Sequence, residues 1–509
     1  MARPWPISRR WAAFGGLVLL YAVATPGSRS ETDDGFWFAD LVARAPLADL
    51  VSGGQTGHVL YLPLQRVVVR LLEVLPGSVD TYSALRGVSV VSAAAAVVVF
   101  ASLLGRLGLG RTAVLVASAG LATSYGFWRY ANEAEVYGLG ALLTVGLAWL
   151  VLGHPLDDRR AVLAGLVGGL ALLVNLLCGI PAAISVPLLL LRSRSHRALL
   201  RYVVVFGLVA TGGYGIAYAG SADGRSPQAW MLDAQPDSQP LRPARLTAGA
   251  VGAVQTVAAG SSAFASDRVG DELTERFPTL NLNEERYAGD RFGPAATAVA
   301  VGVALALLSS LVVLGMTVVR NRRLLEPRSG ARTGTALPGT VLLYFGSWAV
   351  VHAIVILPRA AASAEAWIGV LLPVWVGVAY LVERARRTAP SALFVLPVAL
   401  LALHNAVSGL WVMRTDAVDY NARKAAWLLA EAGPDDAIVT ADATGFSRYL
   451  TYRSPARVVV VDGADRDAFD RLDDRHDRVF VTGDVLGSRP GAGTRLVHAD
   501  EFGGVFERQ

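Results

Sequence analysis

The stretch from Ala295 to Val319, AATAVAVGVALALLSSLVVLGMTVV, contains no charged side chain. A bilayer core is about 30 Å thick, so a helix of roughly 20 apolar residues is long enough to cross it. Ten further apolar runs are found in the chain, and they are Trp11–Ala24, Ala84–Leu104, Ala113–Phe127, Val136–Leu152, Ala161–Val174, Cys178–Leu191, Tyr202–Tyr218, Leu337–Leu357, Ala366–Val382 and Ser391–Met413. The sequence therefore predicts an all-α polytopic membrane protein with about 11 transmembrane helices.

The overall composition agrees with this class. Of 509 residues, 53% are hydrophobic and 17% are charged, whereas soluble domains carry about 25% charged residues. The net charge of +5 is unevenly distributed, because the tail after Met413 is acidic and the basic excess lies in short loops between apolar runs. Such a distribution is a topology signal. It argues against a soluble enzyme, a disordered chain and a nucleic-acid partner.

The loop charges predict the orientation of the chain in the membrane. If the N-terminus is cytoplasmic, every second loop is rich in arginine, as the positive-inside rule requires. We then expect a multi-pass protein of the cell membrane whose C-terminal part lies outside the cytoplasm. Arg9-Arg10, the following apolar run and Ala22-Val23-Ala24 also resemble a cleavable signal peptide. The chain emerges on the outer side at Thr25 in either case.

Three segments are predicted outside the bilayer. The first outer loop, residues 25–82, contains two amphipathic stretches, Phe36–Leu50 and Val59–Leu75, which are typical of interfacial helices. The second, residues 220–293, is rich in proline and contains a helix-like run near Ala248–Ala263. The third segment is the C-terminal tail.

The tail alternates between short apolar runs and helical patterns, which predicts a small α/β domain. The expected strands are Ala437–Thr440, Val458–Val461 and Val479–Thr482, and the expected helices are Asp419–Leu429 and Asp465–Leu472. The chain thus divides into a transmembrane domain, residues 1–412, and an extracytoplasmic α/β domain, residues 413–509.

Polar side chains are scarce in the middle of the apolar runs. His352 and His404 are the main exceptions, and a packed, hydrogen-bonded neutral histidine is the expected state of each. Charged residues instead cluster just beyond the outer ends of the runs, and they are Asp33, Asp34, Arg129, Glu133, Glu135, Arg359 and Glu365. A transporter would place charges near mid-membrane, so this pattern indicates a site at the outer membrane surface.

The run Asp33-Asp34-Gly35-Phe36-Trp37-Phe38 is the strongest candidate for a functional segment. One aspartate is suited to cap the first interfacial helix. Two adjacent carboxylates, a glycine and three aromatic residues are more than a cap requires, so at least one aspartate is a candidate catalytic group.

Two other positions allow a structural and a functional interpretation. In Trp128–Tyr137, the aromatic residues suit a membrane-interface belt and the acids suit a helix start. Glu133 and Tyr137 share one helix face, while Glu135 points elsewhere. His58 precedes the second interfacial helix, where it could cap the helix, bind substrate or do neither.

These residues, taken in order, resemble a known superfamily. Asp33-Asp34-Gly35 with its aromatic run, Gly57-His58-Val59-Leu60-Tyr61-Leu62-Pro63, and Phe127-Trp128 followed by Glu133-Ala134-Glu135-Val136-Tyr137 are similar to motifs of the GT-C membrane glycosyltransferases. Within that superfamily, they resemble the bacterial branch related to protein O-mannosyltransferases. The likeness covers roughly residues 20–152, and residues 357–373 fit a late outer loop more weakly. Relatives often have proline after the histidine, where this chain has Val59.

The resemblance implies transfer of a sugar from a polyprenyl-phosphate donor to a glycan, lipid or protein acceptor at the outer leaflet of the membrane. Asp34 or Asp33 would act as general base on the acceptor hydroxyl, with inversion at the anomeric carbon. Arg129 or Arg359 would bind the phosphate, and Glu135 would orient the acceptor or bind a metal. Glu133, Tyr137, His58 and Glu365 would complete the substrate site. Some relatives use a divalent metal ion and others do not, so metal dependence stays open.

Two other classes of function remain alternatives. A transporter or lipid flippase would need coupling groups within the membrane, which are scarce here. A scaffold or sensor that displays the outer domain would tolerate replacement of Asp34.

Overall fold

The computed structural model describes residues 7–24, 33–52, 57–74, 79–153, 157–192, 196–221, 226–233, 240–276, 289, 293–320, 338–385, 389–414, 419–441, 445–461, 476–486 and 493–508. Helices dominate the part before residue 415. They are α1 (Ile7–Val23), α2 (Asp33–Arg44), α3 (Leu47–Ser52), α4 (Tyr61–Leu72), α5 (Thr81–Arg106), α6 (Arg111–Thr123), α7 (Tyr125–Tyr130), α8 (Tyr137–Leu152), α9 (Asp158–Val174), α10 (Gly179–Arg192), α11 (His196–Gly220), α12 (Pro227–Asp233), α13 (Pro243–Val257), α14 (Asp267–Arg276), α15 (Pro294–Arg320), α16 (Pro338–Ala360), α17 (Ile368–Ala385) and α18 (Ala392–Asn405).

Each predicted apolar run coincides with a helix or, for Ala113–Phe127, with the consecutive helices α6 and α7. Six of the described helical segments are long and apolar enough to cross a bilayer, and they are Thr81–Arg106, His196–Gly220, Pro294–Thr317, Gly339–Ala360, Glu365–Ala385 and Ala392–Leu410. The protein is therefore a helical membrane protein, while the count of eleven spans stays a prediction.

The helices form a bundle in which α5 packs on α8, α9 on α11, α6 on α17, and α15 on α18. Helices α11 and α15 have most of their apolar side chains exposed or partly exposed, as expected for helices facing lipid. The contact between α5 and α8 depends on a glycine, since a Cβ atom at Gly138 would lie 2.7 Å from the carbonyl oxygen of Ser89. This close approach fixes the start of α8 against α5.

Helices α2, α3 and α4 lie in the first outer loop, where the amphipathic stretches predict interfacial helices. Asp80 caps the helix that follows, because its carboxylate accepts a hydrogen bond of 3.1 Å from the Ser83 amide. The predicted helix of the second outer loop is also present, as α13.

The C-terminal part is a small α/β domain, as predicted. Its sheet contains β1 (Ala437–Thr440), β2 (Arg457–Val460), β3 (Val479–Thr482), β4 (Thr494–Asp500) and β5 (Gly503–Arg508), in the order β2-β1-β3-β5-β4. Strand β1 pairs in parallel with β2 and β3, and β5 pairs antiparallel with β3 and β4. Helices α19 (Tyr420–Glu431), α20 (Gly445–Arg453) and α21 (Gly483–Leu486) complete the domain.

The three predicted strands are confirmed, with β2 displaced by one residue, and α19 confirms the first predicted helix. The second predicted helix, Asp465–Leu472, lies outside the described residues. The hairpin β4-β5 and helix α20 were not predicted.

The domain docks on the first outer loop through α20, which packs on α2. The Phe36 ring stacks on Tyr82, with centroids 4.6 Å apart, and meets Tyr449 of α20 edge to face at 4.9 Å. The Tyr452 hydroxyl accepts a hydrogen bond of 3.0 Å from the Tyr82 amide. The C-terminal domain is thereby held against the start of the first interfacial helix.

Candidate active site

Asp34 lies in the first turn of α2, at the junction between the first outer loop and the C-terminal domain. Its Oδ1 atom is 2.5 Å from an Nη atom of Arg448, which belongs to α20. Both side chains are about one-third exposed. The Arg448 guanidinium also lies over the Trp37 ring, 5.3 Å from its centroid. Asp34 is thus reachable from solvent and is paired with a cation from the other domain.

Gly35 allows the Asp33–Phe38 segment to lie close to the Trp128–Tyr137 segment. A Cβ atom at Gly35 would lie 3.3 Å from the Tyr82 ring and 3.4 Å from the Cβ atom of Ala134. Ala134 separates Glu133 from Glu135. The glycine therefore lets the first turn of α2 lie against the segment that carries Glu133 and Glu135, which accounts for a glycine at this position.

Glu133 and Arg129 form a buried ion pair. Arg129 Nε lies 3.1 Å from Glu133 Oε1, and the side chains are 0% and 3% exposed. The Tyr82 hydroxyl donates a hydrogen bond of 2.8 Å to Glu133 Oε2. The guanidinium also contacts the sulfur of Met413. Both charged groups therefore interact with partners in the interior of the protein.

Glu135 and Tyr137 connect Asp34 to the membrane bundle. Glu135 is buried, and its carbonyl oxygen accepts a hydrogen bond of 2.9 Å from the Ser89 hydroxyl. The Tyr137 hydroxyl hydrogen-bonds to Glu365 and lies in the electrostatic field of Glu135 and Asp34. Glu365 begins the 3₁₀ turn Glu365–Trp367 before α17. The structure thus brings together acidic and phenolic groups from three distant parts of the sequence, at Asp34, at Glu135 and Tyr137, and at Glu365.

His58 lies beside the same cluster, before α4. Its Nδ1 atom is 3.2 Å from the carbonyl oxygen of Val174, and its ring meets Phe38 edge to face at 5.9 Å. Burial lowers the pKa of His58, against smaller opposing effects of the Val174 carbonyl and Asp34. His58 is therefore neutral near pH 7.

Arg359 lies on the last turn of α16 and is partly buried. Its guanidinium donates a hydrogen bond of 3.1 Å to the carbonyl oxygen of Val355. Among the described residues no contact joins it to Asp34. It remains a cation near the loop that carries Glu365.

A small cavity of about 30 Å³, with room for about one or two water molecules, lies in the helix bundle next to Tyr137 and Glu365. Its polar lining residues are Tyr137, Thr144, Asn175, His352 and Glu365, and its aromatic ones are Phe127 and Trp348. His352 Nε2 lies 2.8 Å from the carbonyl oxygen of Ala366, and His404 Nε2 lies 3.0 Å from that of Ala259. The expectation that both histidines are packed and hydrogen-bonded is confirmed.

Several residues of the site carry no signal in the sequence. Arg448 is 414 positions from Asp34 and lies in an ordinary amphipathic helix. Tyr82 and Trp348 are aromatic residues within or next to apolar runs, where core packing is the default expectation. Within the described ranges, no group of three His, Cys, Asp or Glu side chains is placed to hold a metal ion. The Asp33 side chain lies outside the described part.

No family model matches the chain, and no curated protein matches its sequence. Solved structures match it over nearly its whole length. ArnT from Cupriavidus metallidurans, bound to undecaprenyl phosphate, has a TM-score of 0.52 and 14% identity, covering 99% of this chain and 98% of that chain. The same protein in the apo state has a TM-score of 0.53 and 15% identity, with the same coverage.

The chain therefore shares the fold of ArnT over nearly its whole length, while membership of the GT-C superfamily stays a prediction from the motifs. The likeness extends through the C-terminal domain, beyond the residues that carry the sequence motifs. The finer resemblance to the branch related to protein O-mannosyltransferases stays a prediction.

Proposed function

We propose that this protein is an integral-membrane glycosyltransferase. It moves a sugar from a polyprenyl-phosphate donor to an acceptor hydroxyl at the outer membrane face, with Asp34 as general base. The observation that carries the proposal is that a partly exposed Asp34 and the buried Glu135 both act electrostatically on Tyr137, whose hydroxyl bonds to Glu365 beside a small cavity of the helix bundle. A solvent-borne acceptor and a membrane-borne donor can meet beside these groups.

The proposed reaction is a single displacement. The acceptor oxygen attacks the anomeric carbon, and its proton passes to the Asp34 carboxylate. The bond between the anomeric carbon and the phosphate oxygen breaks, and its electron pair leaves with the polyprenyl phosphate. Inversion follows from attack opposite the leaving group. General-base assistance of this kind contributes about 10²–10⁴-fold in rate. Asp33 is the second candidate for this role.

The head group of the donor lipid is assigned to the region of the cavity lined by Tyr137, His352 and Glu365. The similar ArnT structure holds undecaprenyl phosphate, which supports a polyprenyl phosphate here. The polar side chains around this cavity suit the head group of such a lipid, while the cavity is too small to enclose the isoprenoid chain. Arg359 is a candidate cation for the phosphate, because it lies at the end of α16, the helix that also carries His352 of this cavity.

The remaining predicted residues divide into two groups. Tyr137 and His58 lie within the electrostatic reach of Asp34, and Glu135 and Glu365 act on Tyr137. We assign these four residues to acceptor or sugar hydroxyls, with Glu135 also available to a divalent ion. Arg129 and Glu133 are fully buried against each other, so we assign them to holding the loop rather than to substrate contact. The acceptor is a glycan, lipid or protein. The motif order favours the branch related to protein O-mannosyltransferases.

The test is a transfer assay in purified membranes with labelled polyprenyl-phosphate sugars, comparing wild type with Asp33→Asn and Asp34→Asn. An asparagine at either position still suits a helix start, so the fold is retained. We expect Asp34→Asn to lower transfer by about 10²–10⁴-fold. Asp49→Asn, on the exposed start of α3, is the matched control and should transfer like wild type.

The outcomes separate the alternatives. Undiminished transfer by both variants would remove these aspartates from the reaction. Absence of transfer by wild type across donors and acceptors would contradict the glycosyltransferase assignment. Movement of the labelled lipid between leaflets without sugar transfer would instead favour the flippase class.

A further inference from the structure

Arg448 belongs to the C-terminal domain, yet it contacts the carboxylate proposed as general base. Its guanidinium lies 2.5 Å from Asp34 and over the Trp37 ring. A cleft open to solvent lies beside it, lined also by Ser447, Thr451 and Asp40. The ion pair therefore sits in a place that a ligand can reach.

While the pair is closed, the guanidinium occupies Oδ1 of Asp34 and leaves the other carboxylate oxygen for an acceptor hydroxyl. An arginine in a protein keeps its charge, so its hydrogen bond competes with the acceptor hydroxyl for Oδ1 only. Both partners are about one-third exposed, and exposed pairs are weakly held because water screens them. The guanidinium can therefore move from Asp34 to another anion at a small cost in free energy.

A phosphate is the anion whose geometry fits this exchange. The planar guanidinium matches phosphate oxygens through two parallel hydrogen bonds. The leaving phosphate gains negative charge as the sugar departs, so a nearby cation stabilises it most strongly in the transition state.

The other arginines considered for this role differ in accessibility or in place. Arg129 is buried against Glu133 and cannot meet a ligand, whereas Arg359 remains a second candidate and lies on another helix, where its guanidinium donates to the carbonyl oxygen of Val355. Arg453, on the same helix as Arg448, lies 3.6 Å from Asp80 at the domain interface.

We propose that Arg448 is a substrate-binding residue that moves from Asp34 to the phosphate of the polyprenyl-phosphate donor. Donor binding then frees Oδ1 of the base, and the C-terminal domain becomes part of the active site. This inference rests on the proposed function and extends it to a residue outside the transmembrane domain.

The experiment uses the full chain in lipid nanodiscs and compares Arg448→Gln, Arg448→Lys and Arg453→Gln with wild type. Arg453→Gln is the matched control, because it removes a guanidinium from the same helix and interface. Binding of undecaprenyl phosphate is measured directly, with inorganic phosphate as a competitor to distinguish the lipid from a free anion. The KM for the sugar donor and kcat are measured in parallel.

Loss of a charged hydrogen-bonding partner predicts about 10- to 100-fold weaker lipid binding in Arg448→Gln, together with a higher donor KM. Arg448→Lys keeps the charge and should recover part of the loss, and it serves as the test if the glutamine variant does not fold. Arg453→Gln should bind within about twofold of wild type, since its partner is an exposed carboxylate.

Two results would overturn the inference. One is lipid binding and turnover in Arg448→Gln that match Arg453→Gln. The other is faster transfer in Arg448→Gln with unchanged binding, since the pair would then only restrain Asp34. If wild type transfers no sugar but binds the lipid through Arg448, the proposed function fails while the phosphate site stands.

Discussion

The buried ion pair of Arg129 and Glu133 tests whether complete burial makes a charged residue structural rather than substrate-binding. Their side chains are 0% and 3% exposed, with Nε and Oε1 3.1 Å apart. Replacing Arg129 by methionine leaves a carboxylate buried without its counter-charge. Replacing Glu133 by glutamine does the same to the guanidinium, although the amide oxygen still accepts from Tyr82. Removal of one partner of a buried pair costs about 3–5 kcal/mol.

The double variant Arg129→Met/Glu133→Gln removes both charges together. It leaves Tyr82 with an acceptor, so we expect it to be more stable than either single variant. The expected coupling between the two positions is then about 2–3 kcal/mol, within the range measured for residues in contact. This coupling is the signature of a structural ion pair.

The assay is equilibrium unfolding of the detergent-solubilised protein, followed by circular dichroism. Arg70→Gln is the matched control, because Arg70 and Glu73 form an ion pair of 2.7 Å with side chains 63% and 49% exposed. Its loss should cost no more than about 1 kcal/mol. If both buried-pair variants unfold like wild type but lose transfer, the reasoning from burial is refuted and the two residues bind substrate.

Two further predictions concern packing and protonation. Gly138→Val should destabilise the fold by about 1–3 kcal/mol or more, because even its Cβ atom would lie 2.7 Å from the Ser89 carbonyl oxygen; Gly146→Val, with open space around it, should unfold near wild type. Burial depresses the pKa of His58 below its unfolded value of about 6.5. Its stability contribution is therefore complete above that pH and is lost as the pH falls toward the folded pKa. His58→Gln should flatten this part of the stability–pH curve, and an unchanged curve would contradict the assignment.

Much of the fold could be predicted because it depends on local composition. A run such as Ala295–Val319 has to satisfy its backbone hydrogen bonds internally in lipid, and a helix is the way a single segment does so. Strands β1 and β3 are short apolar segments buried along their whole length, so they were also recognisable. The β4-β5 hairpin was missed because most of its residues are exposed or partly exposed and carry little hydrophobic pattern.

Only some residues of the candidate site could be singled out from the sequence. Three acidic residues were recognised as candidates because they lie just beyond the ends of apolar runs, and they are Asp34, Glu135 and Glu365. Tyr137 was recognised through the motif that it shares with Glu135. That Tyr137 bonds to Glu365 could not be predicted, since the residues are 228 positions apart and nothing local specifies the contact.

The sequence by itself determined a membrane protein with helical spans, a small α/β tail and a set of charged groups near one membrane face. Hydrophobicity and charge are properties of each residue, so they can be counted along the chain. Only the tertiary structure decided which charges are buried, as Arg129 and Glu133 are, and which are accessible, as Asp34 is. It also decided that Arg448 meets Asp34, because that contact depends on how α20 docks on α2 and on the aromatic packing of Phe36 with Tyr449.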